Sequence, residues 1–550
     1  MHRKMRFDLW TIISLALLGL YAIFLIFPMM NLMTQAVVDK ETGQFTLNYF
    51  IKFFSTPYYF NTLLNSFKVT TAVTVLTLIV GTPLAYIFAR YEIKGKKFLK
   101  VLIILSSMSA PFIGAYSWIL LLGRSGLITQ IFKNTLGITI PNIYGFVGIL
   151  LVLTLQLYPL IFLYVSGALK NVDNSLLEAS ENLGCSGVKR FFTIIIPLIT
   201  PTLLAGGLLV FMRALADFGT PMLIGEGYRT FPVTIFNEFI SEIGGDDGFA
   251  AAISIVAILI TTVVFLAQRY VSVSKSFSMN SINKIKPKKT SGIKNILIHA
   301  YSYILIGVSI MPQVYIFYTS FKNVTGTTFA PGYSFDSYTA AFDKVGRAIS
   351  NTMIIPAISL VIIVFLAVLL AYISVRRPGP VSTALDTVSM IPYIIPGSVI
   401  GITLLIAFNK PPLILSGTMA IMVIGLVIRR MPYTIRSTAA ILQQIPMNIE
   451  EAALSLGSSK LNTFYKITMP MMAAGIVSGA ILSWITMISE LSTAILLYTA
   501  RTKTLTTEIY TQIIRGNYGI AAALSTILAV LTIISLMVFN RVSADGDLSM

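Results

Sequence analysis

The chain has very little of the chemistry that disulfides and metal sites need, and very little charge. Its 550 residues include one cysteine, Cys185, and two histidines, and only 11% of them are charged. One cysteine excludes an intramolecular disulfide and any site built from several thiolates. A soluble globular domain has about 25% charged residues. The low charge, with 55% hydrophobic residues, therefore indicates an integral membrane protein.

The sequence contains many long apolar runs. A helix that crosses the bilayer needs about 20 apolar residues. We predict an all-α integral membrane protein with about twelve transmembrane helices. They lie at roughly 9–32, 64–89, 101–122, 143–166, 194–215, 249–268, 296–318, 351–375, 386–408, 413–431, 470–488 and 519–540. The first run is longer than the apolar part of a signal peptide and lacks a clear small-residue cleavage site, so we expect it to be retained.

Basic residues are distributed unevenly between the two sides of this predicted topology. If the N-terminus is inside, 26 of the 40 lysines and arginines lie in the inner loops or beside them. The positive-inside rule then places both termini in the cytoplasm. The net charge of +18 could also indicate a nucleic-acid partner, but retention of basic loops explains it without one. Membrane lipid is the expected surrounding, and no nucleic acid is expected.

The second half of the chain repeats the first. Matching residues are separated by 286 positions near the start of each half, by 273 in the middle and by 271 near the end. We therefore predict a first half at 1–271, a basic linker at 272–295 and a second half at 296–550. Six spans in each half make the two copies parallel, with a pathway at their interface, which is a transporter's arrangement.

A polar loop occurs in both halves with the same spacing: Glu-Ala-small, three residues, Gly, nine residues, Ile-x-x-Pro. We call residues 170–193 the first motif loop and residues 443–466 the second motif loop. The predicted site residues come from the whole motif, which extends past each loop to the proline. They are Glu178, Ala179, Ser180, Gly184 and Pro197 in the first copy and Glu451, Ala452, Ala453, Gly457 and Pro470 in the second.

The loop pattern predicts a short helix, a stop and a return into the membrane. Asp173 or Asn174 can cap the first helix, and Asn448 can cap the second. Small residues beside the glutamate leave the backbone open to a docking partner. Glycine suits the C-terminal end of the helix, and proline suits the start of the next one.

The two motif loops resemble those of permease subunits of binding-protein-dependent ABC importers, over about 200 residues in each half. Ser180 stands where the family has a second alanine, and Ile196 and Met469 stand where it has leucine. The resemblance implies an inner-membrane subunit that is not itself an enzyme. It also implies that both loops are coupling helices docked on two ATPase subunits, and that an extracytoplasmic binding protein delivers the substrate.

Nothing in the chain matches the phosphate loop G-x-x-x-x-G-K-[ST], so no cofactor is expected here and ATP is expected on the partner ATPase. Two acids, Asp217 and Glu490, follow the fifth span of each half. An acid at membrane depth is a candidate for the substrate pathway. The alternative is that both simply cap loops or pair locally.

Two segments are similar to fused permeases for ferric iron: Ala214 to Gly225, and Glu490 to Tyr510. Ferric iron is therefore the expected substrate, with thiamine or a phosphonate as alternatives on the same machinery. Among other classes, a secondary transporter with two parallel six-helix halves is the rival. The absence of cysteine and histidine clusters argues against a stable metal site in the chain. It does not oppose iron, because the resemblance implies that the external binding protein holds the ion.

Overall fold

The computed structural model describes residues 8–40, 42–108, 111–185, 187–240, 246–274, 283, 285 and 287–542. The basic flank at 1–7 and ten residues of the predicted linker, at 275–282, 284 and 286, lie outside these residues. The predicted all-α class is confirmed. Among the described residues, one short antiparallel hairpin accompanies the helices, formed by β1 (Lys322–Thr325) and β2 (Thr328–Tyr333).

The helices of the first half are α1 (Leu9–Tyr21), α2 (Phe27–Val37), α3 (Asn48–Ser55), α4 (Pro57–Arg90), α5 (Lys96–Met108), α6 (Pro111–Leu122), α7 (Leu127–Leu136), α8 (Phe146–Lys170), α9 (Asn174–Asn182), α10 (Gly187–Arg190), α11 (Ile196–Leu215), α12 (Gly219–Ile224), α13 (Phe231–Ile240) and α14 (Asp247–Ser274). Those of the second half are α15 (Gly292–Thr319), α16 (Asp336–Arg376), α17 (Pro380–Ile394), α18 (Gly397–Ala407), α19 (Met419–Gln444), α20 (Met447–Ser455), α21 (Lys460–Thr463), α22 (Met469–Met471), α23 (Ala473–Ile488), α24 (Ala494–Leu497), α25 (Leu505–Ile514) and α26 (Tyr518–Val542).

Within the described residues, nine helices are long and apolar enough to cross a membrane, or up to eleven if each of two bent pairs counts as one span. The predicted span 386–408 is one of these pairs, since α17 and α18 meet at 111°. Ile395 and Pro396 are extended at the break. A residue before proline is disfavoured in the helical conformation, which agrees with the extended backbone of Ile395 at the break.

The predicted span 413–431 has different bounds in the structure. Helix α19 begins at Met419 and continues to Gln444, past the arginines that end the apolar run. Arg429 and Arg430 both pair with Glu490. Paired charges can remain in a helix at membrane depth, so the apolar run alone did not predict how far α19 extends.

In the part of the chain that the structure describes, three π-helical turns lie shortly before prolines. They span Ala22–Ile26, Phe191–Ile195 and Phe464–Thr468, and Pro28, Pro197 and Pro470 follow two residues after their ends. Proline cannot donate the usual backbone hydrogen bond, and its ring crowds the carbonyl four residues earlier. The wider turn relieves that crowding. The last two turns match through the repeat, so each motif loop enters the membrane in the same way.

The chain divides into two compact units that do not follow the halves of the sequence. One consists of Met1–Lys52, Ile235–Ala257 and Ser320–Ser549, and the other of Phe53–Thr234 and Ile258–Thr319. The first helices of the chain are therefore in a unit with most of the second half. Helix α15 is in a unit with most of the first half. We call them the second-half unit and the first-half unit.

The core of the first-half unit forms where α4 crosses α8. A β-carbon added to Gly81 would stand 2.9 Å from both the β-carbon of Ile161 and the carbonyl oxygen of Tyr158, so only glycine permits this approach. Helix α15 joins the same core. Its Tyr301 donates to the carbonyl of Val80 at 2.7 Å.

Two features hold the second-half unit together. The rings of Trp10, Tyr372 and Phe464 pack with centroid separations of 4.5–5.0 Å, which fixes the start of α1 against the second half. Gly475 and Gly479, spaced as in a G-x-x-x-G motif, bring α23 close to α19. Small residues at this spacing allow membrane helices to pack backbone to backbone.

Candidate functional site: the two motif loops

The first motif loop contains the short helix α9. Asp173 is its N-cap and accepts a hydrogen bond from the backbone N–H of Ser175 at 2.9 Å. The side chain of Glu178 is exposed and accepts from Asn174 at 2.6 Å. The helix ends at Gly184, which is in the left-handed region. This is the predicted helix and stop.

The second motif loop has the same plan with a different start. Helix α20 begins at Met447, and Pro446 occupies the N-cap position without a side-chain hydrogen bond. The prediction that Asn448 is the cap was wrong, because only two residues separate α19 from α20 and Asn448 already lies within the helix. Gly457 ends the helix in the left-handed region.

Corresponding residues of the two motifs have the same exposure. The glutamate and the alanine after it are exposed in both copies, and the third, small residue is buried. These are Glu178, Ala179 and Ser180 in the first copy and Glu451, Ala452 and Ala453 in the second. The small residue therefore faces the protein, whereas the first two residues are open to a partner.

Leucine before the terminal glycine is the most exposed large hydrophobic residue of each motif loop. Leu183 is 86% exposed and Leu456 is 89% exposed, the two highest values among large hydrophobic side chains of the described residues. The two leucines match through the repeat. The same exposed leucine beside the same backbone turn in both copies makes this position a candidate docking surface.

A shielded ion pair holds the second motif loop from within. Arg376, the last residue of α16, donates from Nε to Glu450 Oε1 at 2.8 Å and from Nη2 to the carbonyl of Ile445 at 2.7 Å. The Tyr372 hydroxyl donates to the other carboxylate oxygen of Glu450 at 3.2 Å. The side chains of Arg376 and Glu450 are only 8% and 5% exposed. The motif pattern does not include this glutamate, which precedes the motif's own.

Glu181 has the corresponding contacts in the first motif loop. Its Oε2 lies 3.1 Å from Arg190 Nη1 and 3.6 Å from Arg90 Nη2. Both arginine side chains are buried, whereas Glu181 is 45% exposed. Lys288 Nζ reaches the same oxygen at 3.0 Å. Hydrogen bonds from Lys288 and Arg190 lower the pKa of the Glu181 carboxyl below its ordinary value.

Each motif loop is also contacted by the chain just before the first span of the other half. Asn283 and Lys288 precede α15, and Asn283 bonds to the first motif loop through the Asp173 side chain at 3.2 Å and the Asn174 N–H at 2.8 Å. Asp8 precedes α1 and lies 3.5 Å from Lys460 of the second motif loop. We call the contacts of Asn283 and Lys288 with the first motif loop the first strap. The contact of Asp8 with Lys460 is the second strap.

The two predicted pathway acids have local partners. Asp217 is half-buried, accepts from the N–H of Thr220 at 2.9 Å and so caps α12, and no ion pair involves it among the described residues. Glu490 is buried, pairs with Arg429 and Arg430 and accepts from the N–H of Thr493 at 3.0 Å. These contacts match the alternative of local capping and pairing, and the pathway role stays a prediction.

A family model matches both halves of the chain. The family is described as "Binding-protein-dependent transport system inner membrane component", and the model matches residues 81–275 and 363–544. Both motif loops lie inside these ranges. The double match agrees with the internal repeat seen in the sequence.

Similarity to other proteins extends over most of the chain. The chain is 27% identical to the ferric transport system permease protein FbpB of Actinobacillus pleuropneumoniae, over 98% of this chain and 79% of that protein. It is 27% identical to the putative ferric transport system permease protein FbpB 1 of Haemophilus influenzae, over 91% of this chain and 80% of that protein. It is 25% identical to Fe(3+)-transport system permease protein FbpB 2 of the same organism, over 87% of this chain and 89% of that protein.

Proposed function

Because this chain belongs to the family of binding-protein-dependent transport system inner membrane components, we propose that it is an ABC permease with two ATPase partners, one on each motif loop. An extracytoplasmic binding protein delivers the substrate. ATP binds and is hydrolysed on the partner ATPases, and this chain binds no cofactor. The observation that supports two docking sites is the duplicated surface: exposed glutamate and alanine, then exposed leucine and left-handed glycine, in both loops.

The orientation of this assembly follows from charge. The positive-inside distribution of lysine and arginine favours a cytoplasmic position for both motif loops and both termini. Soluble ATPases are accessible only from that side. The side of the loops and the identity of the partner are therefore consistent with each other.

The leucines give the docking proposal a direct test. Burying one leucine side chain at an interface is worth about 1.5–3 kcal/mol. We expect Leu183→Asp with Leu456→Asp to lower co-purification of the ATPase subunits at least about tenfold, while insertion into the membrane stays normal. The matched control is Ile138→Asp, which changes an exposed residue between the third and fourth predicted spans, outside both motif loops. Undiminished co-purification in the double variant would refute the docking surface.

For the substrate we propose ferric iron, which is the substrate named for the three relatives above. The ion would arrive on the binding protein and pass through the permease without a resident metal site in this chain. Uptake of radioactive iron into vesicles that contain the permease, the ATPases and the binding protein should require ATP inside the vesicle. If the partner binding protein carried thiamine or a phosphonate instead, the iron assignment would be wrong and the ABC assignment would stand.

A further inference from the structure

A buried arginine ends the long helix that precedes the motif loop in each compact unit. Arg90 is the last residue of α4 and Arg376 is the last residue of α16. They are separated by 286 positions, the offset of the repeat in this region, so they occupy equivalent sites. Both side chains are buried, at 2% and 8% exposure. A charge buried twice at the same site needs a partner in both copies.

In the second-half unit one arginine joins three elements. Arg376 binds the Glu450 side chain of α20 and the carbonyl of Ile445 at the end of α19, while its own backbone belongs to α16. Glu450 uses both carboxylate oxygens, one for Arg376 and one for Tyr372. Moving α20 without α16 would leave a buried carboxylate and a buried guanidinium unpaired, which is strongly unfavourable.

In the first-half unit the same connection uses a different acid. The residue equivalent to Glu450 is Leu177, whose side chain cannot pair with arginine. Glu181, one helical turn later on α9, approaches Arg90 instead, and Arg190 contacts both Glu181 and the carbonyl of Leu177. In both copies of the repeat, a buried arginine at the end of a long helix therefore pairs with a carboxylate of the motif loop, but the carboxylate comes from a different position. Chance similarity of two duplicated loops would not produce this, because the loop position of the acid changed while the buried arginine stayed.

We propose that Arg376 with Glu450 and Arg90 with Glu181 are the links through which movement of each motif loop reaches the long membrane helix of its unit. These are positioning residues and do not contact the ATPase themselves. The inference rests on the proposed docking of ATPases on the motif loops. It adds how the movement leaves the loop, and it predicts that binding of the ATPase and coupling to transport can be separated.

The test uses the complete complex in vesicles and measures three quantities: ATPase co-purification, ATP hydrolysis, and substrate taken up per ATP hydrolysed. With Glu450→Gln we expect co-purification and hydrolysis to stay within about twofold of the unmodified protein and uptake per ATP to fall about tenfold, a typical size for a coupling effect. The exchanged pair, Arg376→Glu with Glu450→Arg, should recover part of the lost uptake per ATP. Either single variant of that exchange should not.

The control is Asp386→Asn, which removes a half-exposed partner of Arg436 in the same unit and should leave uptake per ATP unchanged. Two results would overturn the proposal: unchanged uptake per ATP in Glu450→Gln, or loss of the protein or of ATPase binding in the exchanged pair, which would assign the ion pair to folding alone. If no ATPase co-purified even with the unmodified permease, the proposed function itself would fail, and this outcome is distinct from both.

Discussion

At the scale of single residues, the glycines that end the motif helices are fixed by backbone conformation. Gly184 has φ +74° and Gly457 has φ +90°, and a β-carbon added to either would meet nothing within 4 Å. A larger residue would therefore not clash with this chain. Its cost would come from the left-handed conformation, which disfavours residues with a β-carbon by about 1–2 kcal/mol.

We expect Gly184→Val with Gly457→Val to lower ATPase co-purification and coupled uptake, because valine, branched at the β-carbon, distorts both helix ends. The matched variant is Gly184→Asn with Gly457→Asn, since asparagine accepts the left-handed conformation more readily. Co-purification and uptake assays on membranes with equal amounts of permease compare the two. Equal losses in the valine and asparagine variants would show that the space beside the glycine, and not its conformation, is what matters.

Glu181 gives a prediction for pH. Hydrogen bonds from Lys288 and Arg190 lower its pKa, so the ionised carboxylate is favoured in the folded protein. The contribution of these bonds to stability is complete above the ordinary pKa of a glutamate and is lost as the pH falls through the lowered one. The first strap should therefore hold throughout the neutral range.

Carbon-13 NMR of labelled glutamate side chains in nanodiscs can follow this titration. We expect Lys288→Ala to raise the pKa of Glu181 toward the ordinary value, because the hydrogen bond that lowers it most is lost. Lys289→Ala removes the neighbouring lysine and should leave the titration unchanged. A titration of Glu181 that did not respond to Lys288→Ala would contradict the strap.

The sequence predicted the residues of the motif but not the ion pairs that connect the motif loops to the long helices. Regular spacing identified Glu178, Glu451 and the glycines because both copies keep them. Glu450 was not predicted, because the equivalent residue in the first half is Leu177 and comparison of the two halves therefore does not identify it. The recurrence of arginine at 90 and 376 was the available signal, but it indicates a connection only once the acid partners are known in space.

At the scale of helices, backbone contact between α23 and α19 depends on Gly479. A β-carbon there would lie 2.6 Å from Cα of Thr434, and a backbone atom cannot move aside as a flexible side chain can. We expect Gly479→Ala to force the helices apart and to destabilise the protein by about 1–3 kcal/mol, as overpacking of a well-packed core does.

Thermal unfolding in detergent, followed by fluorescence-detected size exclusion, measures this loss as a lower midpoint. Gly307→Ala is the control. Gly307 also lies within a membrane helix, but a β-carbon there would meet nothing within 4 Å. A midpoint for Gly479→Ala as high as that of the control would mean that α23 and α19 adjust freely.

Helix existence was predictable from apolar runs, whereas helix ends and bends were not. The apolar run predicted that the tenth span ends at 431, but α19 continues to Gln444. Its arginines pair with acids on other elements, Arg429 with Glu490 and Arg436 with Asp386. The break between α17 and α18 depends on a proline within an apolar run. Such a run has the same mean hydropathy whether its helix is straight or bent, so composition carries no signal for the difference.

At the scale of the whole molecule, the repeat was readable but the membership of the compact units was not. The predicted ranges 1–271 and 296–550 describe copies of a sequence. The units instead place α15 with Phe53–Thr234, and Met1–Lys52 with Ser320–Ser549. Apolar residues on a first helix fit either half equally well. Specific contacts, such as that of Trp10 with Tyr372 and Phe464, decide the matter, and they join positions hundreds of residues apart.

The first helix of each half belongs to the unit that contains most of the other half, and this has a consequence for the order in which the units can form during synthesis. Helix α1 is made before its partner Phe464, which lies more than 400 residues later in the chain. At about 5–20 residues per second, α1 waits in the bilayer for tens of seconds before the rings that pack on Trp10 are made. The first-half unit can close as soon as α15 is complete, whereas the second-half unit cannot close until helices more than 400 residues after α1 have been made.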